Sequence, residues 1–231
     1  MALIIASSQV INITTNKDYV FQVHRYFLER DSEFFRDMFT CPPTSGLADG
    51  QDEDSAILLP DVTVHELECL ITFLYEGVYG LAFTLQDWTA LLSISSRFLF
   101  DKVRDRAVRE IAEHDPPLGP VERLVLAIKH DIPQWVQPAY TDICVREEPL
   151  TEEEADKLGM SMVVRLARMR EELLRERSQT APSVPNRPRF ARNTTTDCGC
   201  RSCRQERLAS DEADEDTKRV TKIVEEVMAM Q

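Results

Sequence analysis

The stretch FQVHRYFLERDSEFFRDMF, Phe21–Phe39, decides the fold. Phe21 and Val23 alternate with Gln22 and His24, the period of a strand with one buried face. From Arg25 the period becomes helical. Phe27, Leu28, Phe34, Phe35 and Met38 are apolar, and the pairs Phe27/Phe34 and Leu28/Phe35 return to one helix face. Asp31 and Ser32 interrupt the run. The Ser32 hydroxyl can accept from the free N–H groups of a new helix, and Glu33 suits its positive end. The stretch therefore predicts a strand, a helix, a polar break and a second helix. His24 has no Cys, His or carboxylate pair nearby in sequence to complete a site, so its expected role is a hydrogen bond that fixes the fold.

Working outward, Ile57–Leu59 reads as a buried strand. Thr63 with Glu66 makes a capping box, and the helix that follows places Val64, Leu67, Leu70, Ile71 and Leu74 on one face until Gly77 stops it. Thr84 with Asp87 signals another helix, carrying Leu85, Trp88, Leu91 and Leu92. Asp101 is expected to cap the next, with Val103, Ala107 and Ile111 inward and His114-Asp115-Pro116-Pro117 as its end. Upstream, Val10–Ile13 reads as an edge strand and Thr14–Asp18 lacks alternation. Residues 41–56, CPPTSGLADGQDEDSA, read as a mobile surface loop.

This order resembles a BTB/POZ domain. The residues that carry the resemblance are the strand-His-helix-Ser-helix run at Phe21–Phe39 and ILLPDVTVHELECLITFLYEGVYG at Ile57–Gly80, with its Asp61-Val62 turn and its Tyr75-Glu76-Gly77 ending. Trp88–Ala112 and Trp135–Gly159 are similar to a variant of the family abundant in fungi. The resemblance implies an α+β fold, with a small mixed sheet packed among helices, over residues 10–115. It also implies a non-catalytic interaction module that forms homo- or hetero-oligomers. Its implied partners are a second copy of itself, a cullin scaffold of a ubiquitin ligase, or a transcriptional regulator.

Residues 118–177 read as a helical extension packed on that domain. Pro120 suits a first helical turn, and Val121, Leu124, Val125 and Ile128 share one face. Ile132, Trp135, Val136, Tyr140 and Ile143 continue the pattern, with Trp135 as core. Thr151 with Glu154 forms another capping box, Gly159 breaks the helix, and Ser161–Arg177 presents Val164, Leu166, Met169 and Leu173. Residues 178–216 lose periodicity and are expected to be disordered, and residues 217–231 regain the pattern of a C-terminal helix.

The net charge of −13 falls within residues 1–177, which hold 18 Lys/Arg against 31 Asp/Glu, whereas the remainder balances nine against nine. So acidic a folded part repels phosphate backbones and disfavours nucleic-acid binding. No apolar run is long enough to span a membrane, and MALIIASS lacks the basic lead-in of a signal peptide. Cys41, Cys69 and Cys144 stand isolated in sequence, as free thiols of a reducing compartment do, so the cytoplasm or nucleus is expected.

The sharpest chemical motif is Asp197-Cys-Gly-Cys-Arg-Ser-Cys203. Cys198, Cys200 and Cys203 offer three soft ligands, but zinc normally takes four and the nearest histidine in sequence is His130. The leading reading is a disordered tail with exposed thiols. Metal shared between tails, or redox sensing by thiols that flanking arginines activate, are the alternatives. The arginines within residues 187–207 form a basic island that the acidic run Asp211–Asp216 offsets. No phosphate-binding glycine loop, nucleophile elbow or H-E-x-x-H occurs. Accordingly no catalytic, cofactor-binding or metal residue is assigned, and no cofactor or small-molecule substrate is expected. The function expected is an interaction module, with a metal- or redox-responsive regulator using the C-x-C-x-x-C tail as the alternative.

Overall fold

The computed structural model describes residues 9–16, 19–41, 50–77 and 83–180, together with Lys218, Thr221 and Lys222. The chain divides into two compact units, Met1–Leu118 and Gly119–Gln231. The tail thiols Cys198, Cys200 and Cys203, and almost all of the expected linker and C-terminal helix at 178–216 and 217–231, lie outside the described residues.

Among its described residues the first unit holds three strands, β1 (Val10–Asn16), β2 (Tyr19–His24) and β3 (Ile57–Leu58), in the order β2-β1-β3. β1 and β2 form an antiparallel pair that sets Ile11 opposite Val23 and Ile13 opposite Phe21. β1 and β3 run parallel, with Ile13 opposite Ile57. The mixed sheet is therefore as expected, but β1 is its centre and not its edge. Polar residues hide this in the sequence. Asn12 and Thr14 are both buried: Asn12 Nδ2 donates to the Gly50 carbonyl at 3.1 Å, while its Oδ1 meets no donor among the described residues, and Thr14 Oγ1 donates to the Tyr19 carbonyl at 2.8 Å.

The same contact corrects the expectation for residues 50–56. Gly50 is buried, its carbonyl takes the Asn12 N–H at 2.8 Å, and its own N–H reaches the Ser55 carbonyl. Its φ of +82° and the Asn12 oxygen 3.2 Å from where a Cβ would sit leave room for glycine alone. This end of the expected loop is thus pinned to the sheet.

Five helices follow among the described residues of this unit: α1 (Arg25–Asp31), α2 (Glu33–Thr40), α3 (Val64–Glu76), α4 (Leu85–Arg97) and α5 (Asp101–Ala112). Ser32 breaks α1 from α2 as its chemistry predicts. Its Oγ accepts from Phe35 N at 3.1 Å and donates to the Phe98 carbonyl at 2.6 Å, in full burial. Phe35 is buried completely against Phe98 and Phe100, with ring centroids 5.8 Å from each. Phe34, expected on the same face as Phe27, is instead 38% exposed, because the break at Ser32 resets the helical phase.

The expected capping box forms at Thr63/Glu66, and the helix start expected at Thr84 with Asp87 is a capping box as well. Asp101 does not cap α5. Phe100 occupies the cap position with its ring buried, and Asp101 is the first helical residue, where its charge meets the positive helix end.

The second unit contains α6 (Pro120–Lys129), α7 (Pro133–Val145), α8 (Glu152–Leu158) and α9 (Met160–Thr180). Val121, Leu124, Ala139, Tyr140, Ile143, Cys144, Leu166, Met169 and Leu173 make its core. Trp135 is buried as expected, but Ile128 and Val164 are exposed. On α6, Ala127 takes the inward place instead of Ile128.

Arg146 and Glu154 hold α7 to α8 through bonds of 2.8 and 2.5 Å, and the Arg170 guanidinium reaches the carbonyls of Arg146, Glu147 and Glu148. The hydrogen bond from Arg146, aided by the Thr151 N–H and opposed by burial, holds the Glu154 carboxyl down at about 2.

Two outcomes are expected. Ser32→Ala strands the Phe98 carbonyl and the Phe35 N–H and lowers the stability of the first unit by about 2 kcal/mol. Urea unfolding followed by Trp88 emission in a Trp135→Phe background measures this. Glu154→Gln lowers the stability of the second unit by about 1 kcal/mol at neutral pH, read from Trp135 with Trp88→Phe. Because the folded carboxyl lies low, its contribution is complete above the unfolded value of about 4.3. The gap between variant and parent therefore closes as pH falls from that value towards about 2.

Candidate functional site

His24 ends β2 and precedes α1, and both its backbone N–H and its ring meet one atom. The N–H donates to the Tyr75 hydroxyl at 3.0 Å, and Nδ1 lies 2.6 Å from the same oxygen. Phe27 packs on the Tyr75 ring with centroids 4.6 Å apart. The histidine thus ties the strand–helix corner to the last turn of α3, and its role is to fix the fold. The tyrosine of the Tyr75-Glu76-Gly77 ending is its partner, a relation the sequence does not display.

A second constellation joins α3 to α4. His65 and Cys69 lie one turn apart on α3, and Asp87 stands in the first turn of α4. His65 Nε2 is 3.2 Å from Asp87 Oδ1, and Cys69 Sγ is 3.8 Å from that same oxygen and 3.8 Å from His65 Nε2. The other carboxylate oxygen, Oδ2, is held by the capping box, where it accepts from Thr84 N at 2.8 Å and Thr84 Oγ1 at 2.7 Å.

Cys69 is buried, whereas the His65 side chain is 46% exposed. Burial, reinforced by the Asp87, Glu68 and Glu66 charges, pushes the Cys69 thiol up to about 12. That is the reverse of the shift that activates a nucleophilic cysteine. Burial opposes ionisation of Asp87, but the Thr84 hydrogen bonds and His65 hold its carboxyl below its ordinary value. Cys69, isolated in the sequence, is therefore not isolated in space. The readable signal was His-x-x-x-Cys on a helix face followed by the acid of a capping box.

The third feature is a surface. Among the described residues β2 pairs only with β1, so its outer edge carries no partner strand. Tyr19 and Val20 on it are exposed, as is Val10 on β1. Tyr26, Phe34, Leu58, Tyr75 and Leu99 are further exposed apolar or aromatic side chains of the first unit. An open strand edge bearing large apolar groups is a template for association. No helix among the described residues is long and apolar enough to cross a membrane.

The described residues of the first unit thus form a three-stranded mixed sheet packed among helices, with the strand-His-helix-Ser-helix corner intact. The family model for the BTB/POZ domain matches residues 9–115, and these residues are a BTB/POZ domain. No curated protein matches the chain. BTB/POZ domains are protein–protein interaction modules, and that coarse function follows for the first unit.

Tyr75→Phe removes the shared acceptor at His24. Amide exchange at His24 is expected to accelerate about tenfold, while exchange in α5 stays unchanged, as read by NMR.

Proposed function

We infer that the chain is a non-catalytic adaptor whose BTB/POZ domain associates with a second copy of itself through the open edge of β2 and its exposed apolar side chains. The observation that carries this reading is the β2 edge, unpartnered among the described residues and bearing Tyr19 and Val20, within a domain of an interaction family. Pairing two such edges adds main-chain hydrogen bonds and removes apolar surface from water. The dimer then presents the remaining surfaces to a cullin scaffold or a transcriptional regulator. The acidic charge of residues 1–177 supports a protein partner over nucleic acid. The described cysteines Cys41, Cys69 and Cys144 are free thiols, which supports a cytoplasmic or nuclear setting.

Light scattering at micromolar concentration tests self-association. A mass of twice 26.5 kDa is expected, and a monomer of 26.5 kDa overturns the dimer. Val20→Lys places a charge on the edge and is expected to weaken the dimer by about tenfold or more without loss of helix content by circular dichroism. A dimer of undiminished affinity would move the interface away from β2.

A further inference from the structure

We propose that His65 Nε2, Cys69 Sγ and Asp87 Oδ1 form a site for a single divalent cation of the zinc type, with water as its fourth ligand. This inference is independent of the self-association of the domain. Its foundation is the shape of the three-atom set. With zinc–sulfur bonds of about 2.3 Å and zinc–nitrogen or zinc–oxygen bonds of about 2.0–2.1 Å, a tetrahedron has edges of about 3.6 Å from sulfur to nitrogen or oxygen and about 3.3 Å from nitrogen to oxygen. The corresponding separations are 3.8, 3.8 and 3.2 Å. The Cys69 sulfur also lies 3.9 Å from His65 Nδ1, so the spacing of the three atoms suits an ion once the half-exposed imidazole turns to aim its Nε2 lone pair between Sγ and Oδ1. The donor set of imidazole, thiolate and carboxylate suits zinc and disfavours the all-oxygen preference of magnesium or calcium.

Two further observations favour an ion at this position. The two α3 ligands are one helical turn apart, so backbone geometry alone brings them together. Asp87 is oriented from behind, because Oδ2 is occupied by Thr84 while Oδ1 faces the other two ligands. Such support of a ligating carboxylate is what metal sites use to fix their first ligands.

On binding, the Cys69 S–H bond gives way to a metal–sulfur bond and the proton leaves to solvent. The half-exposed side chain of His65 leaves a way in for the ion from solvent. The ion would join the first half of α3 to the first turn of α4, as a structural staple.

The test uses the full chain, stripped with a chelator and titrated with cobalt(II) as a spectroscopic stand-in for zinc. Cys198→Ser, Cys200→Ser and Cys203→Ser are introduced together, so that the tail thiols cannot contribute. The expected result is one cobalt per chain, with thiolate-to-cobalt charge transfer and the intense visible bands of tetrahedral coordination, both bleached by zinc. His65→Ala, a change at a half-exposed side chain that leaves the core intact, is expected to weaken binding by about tenfold or more. It should also abolish the rise in melting temperature that zinc gives the parent. Absence of the charge-transfer band from the tail-substituted chain overturns the proposal. Equal cobalt affinity with and without His65 does so as well.

Discussion

The hydroxyl of Ser32 is the point on which the first unit turns. It accepts from the first turn of α2 and donates to the Phe98 carbonyl, so one buried oxygen caps a helix and joins segments distant in sequence. Because Phe98 and Phe100 flank the turn between α4 and α5, that oxygen sets the place of the Phe35 ring among them. A helix running unbroken from Arg25 to Thr40 would put Phe35 at a different angle and lose the packing. The polar break is thus the condition for the aromatic core.

Much of this architecture is written in local chemistry. The Thr-x-x-Glu and Thr-x-x-Asp signals at Thr63, Thr84 and Thr151 each become capping boxes, because the reciprocal bonds involve only four consecutive residues. Features that depend on distant partners are harder to read. Asn12 and Thr14 break the alternation of β1 and give it the pattern of an edge, yet both side chains donate inside the fold, to the Gly50 and Tyr19 carbonyls. Asp101 looked like a cap because acids favour that place, and a buried phenylalanine took it. The His65, Cys69 and Asp87 grouping was hidden for the same reason, since Asp87 was already explained as a capping acid.

α3 emerges as the element that serves two ends. Its last turn carries Tyr75, which secures the β2–α1 corner, and its first turns carry the His65 and Cys69 donors beside α4. The inward face between them, Leu67, Leu70 and Leu74, is occupied wholly by packing. Local stability and candidate chemistry are therefore separated along one helix, so a change at His65 can be made without touching the corner that Tyr75 holds.

The central position of β1 also governs the order in which the sheet can assemble. β1 and β2 are neighbours in the chain and can zip early, whereas the parallel partner β3 lies about 44 positions away and requires a long loop to close first. Until that closure, the β3 side of β1 is as open as the β2 edge is in the finished domain. Closure therefore replaces the seven-residue flank of β1 by the two-residue edge of β3, and β2 keeps the longer edge among the described strands. Crowded synthesis would favour misregistered pairing between copies at the stage when Gly50 has yet to dock on Asn12.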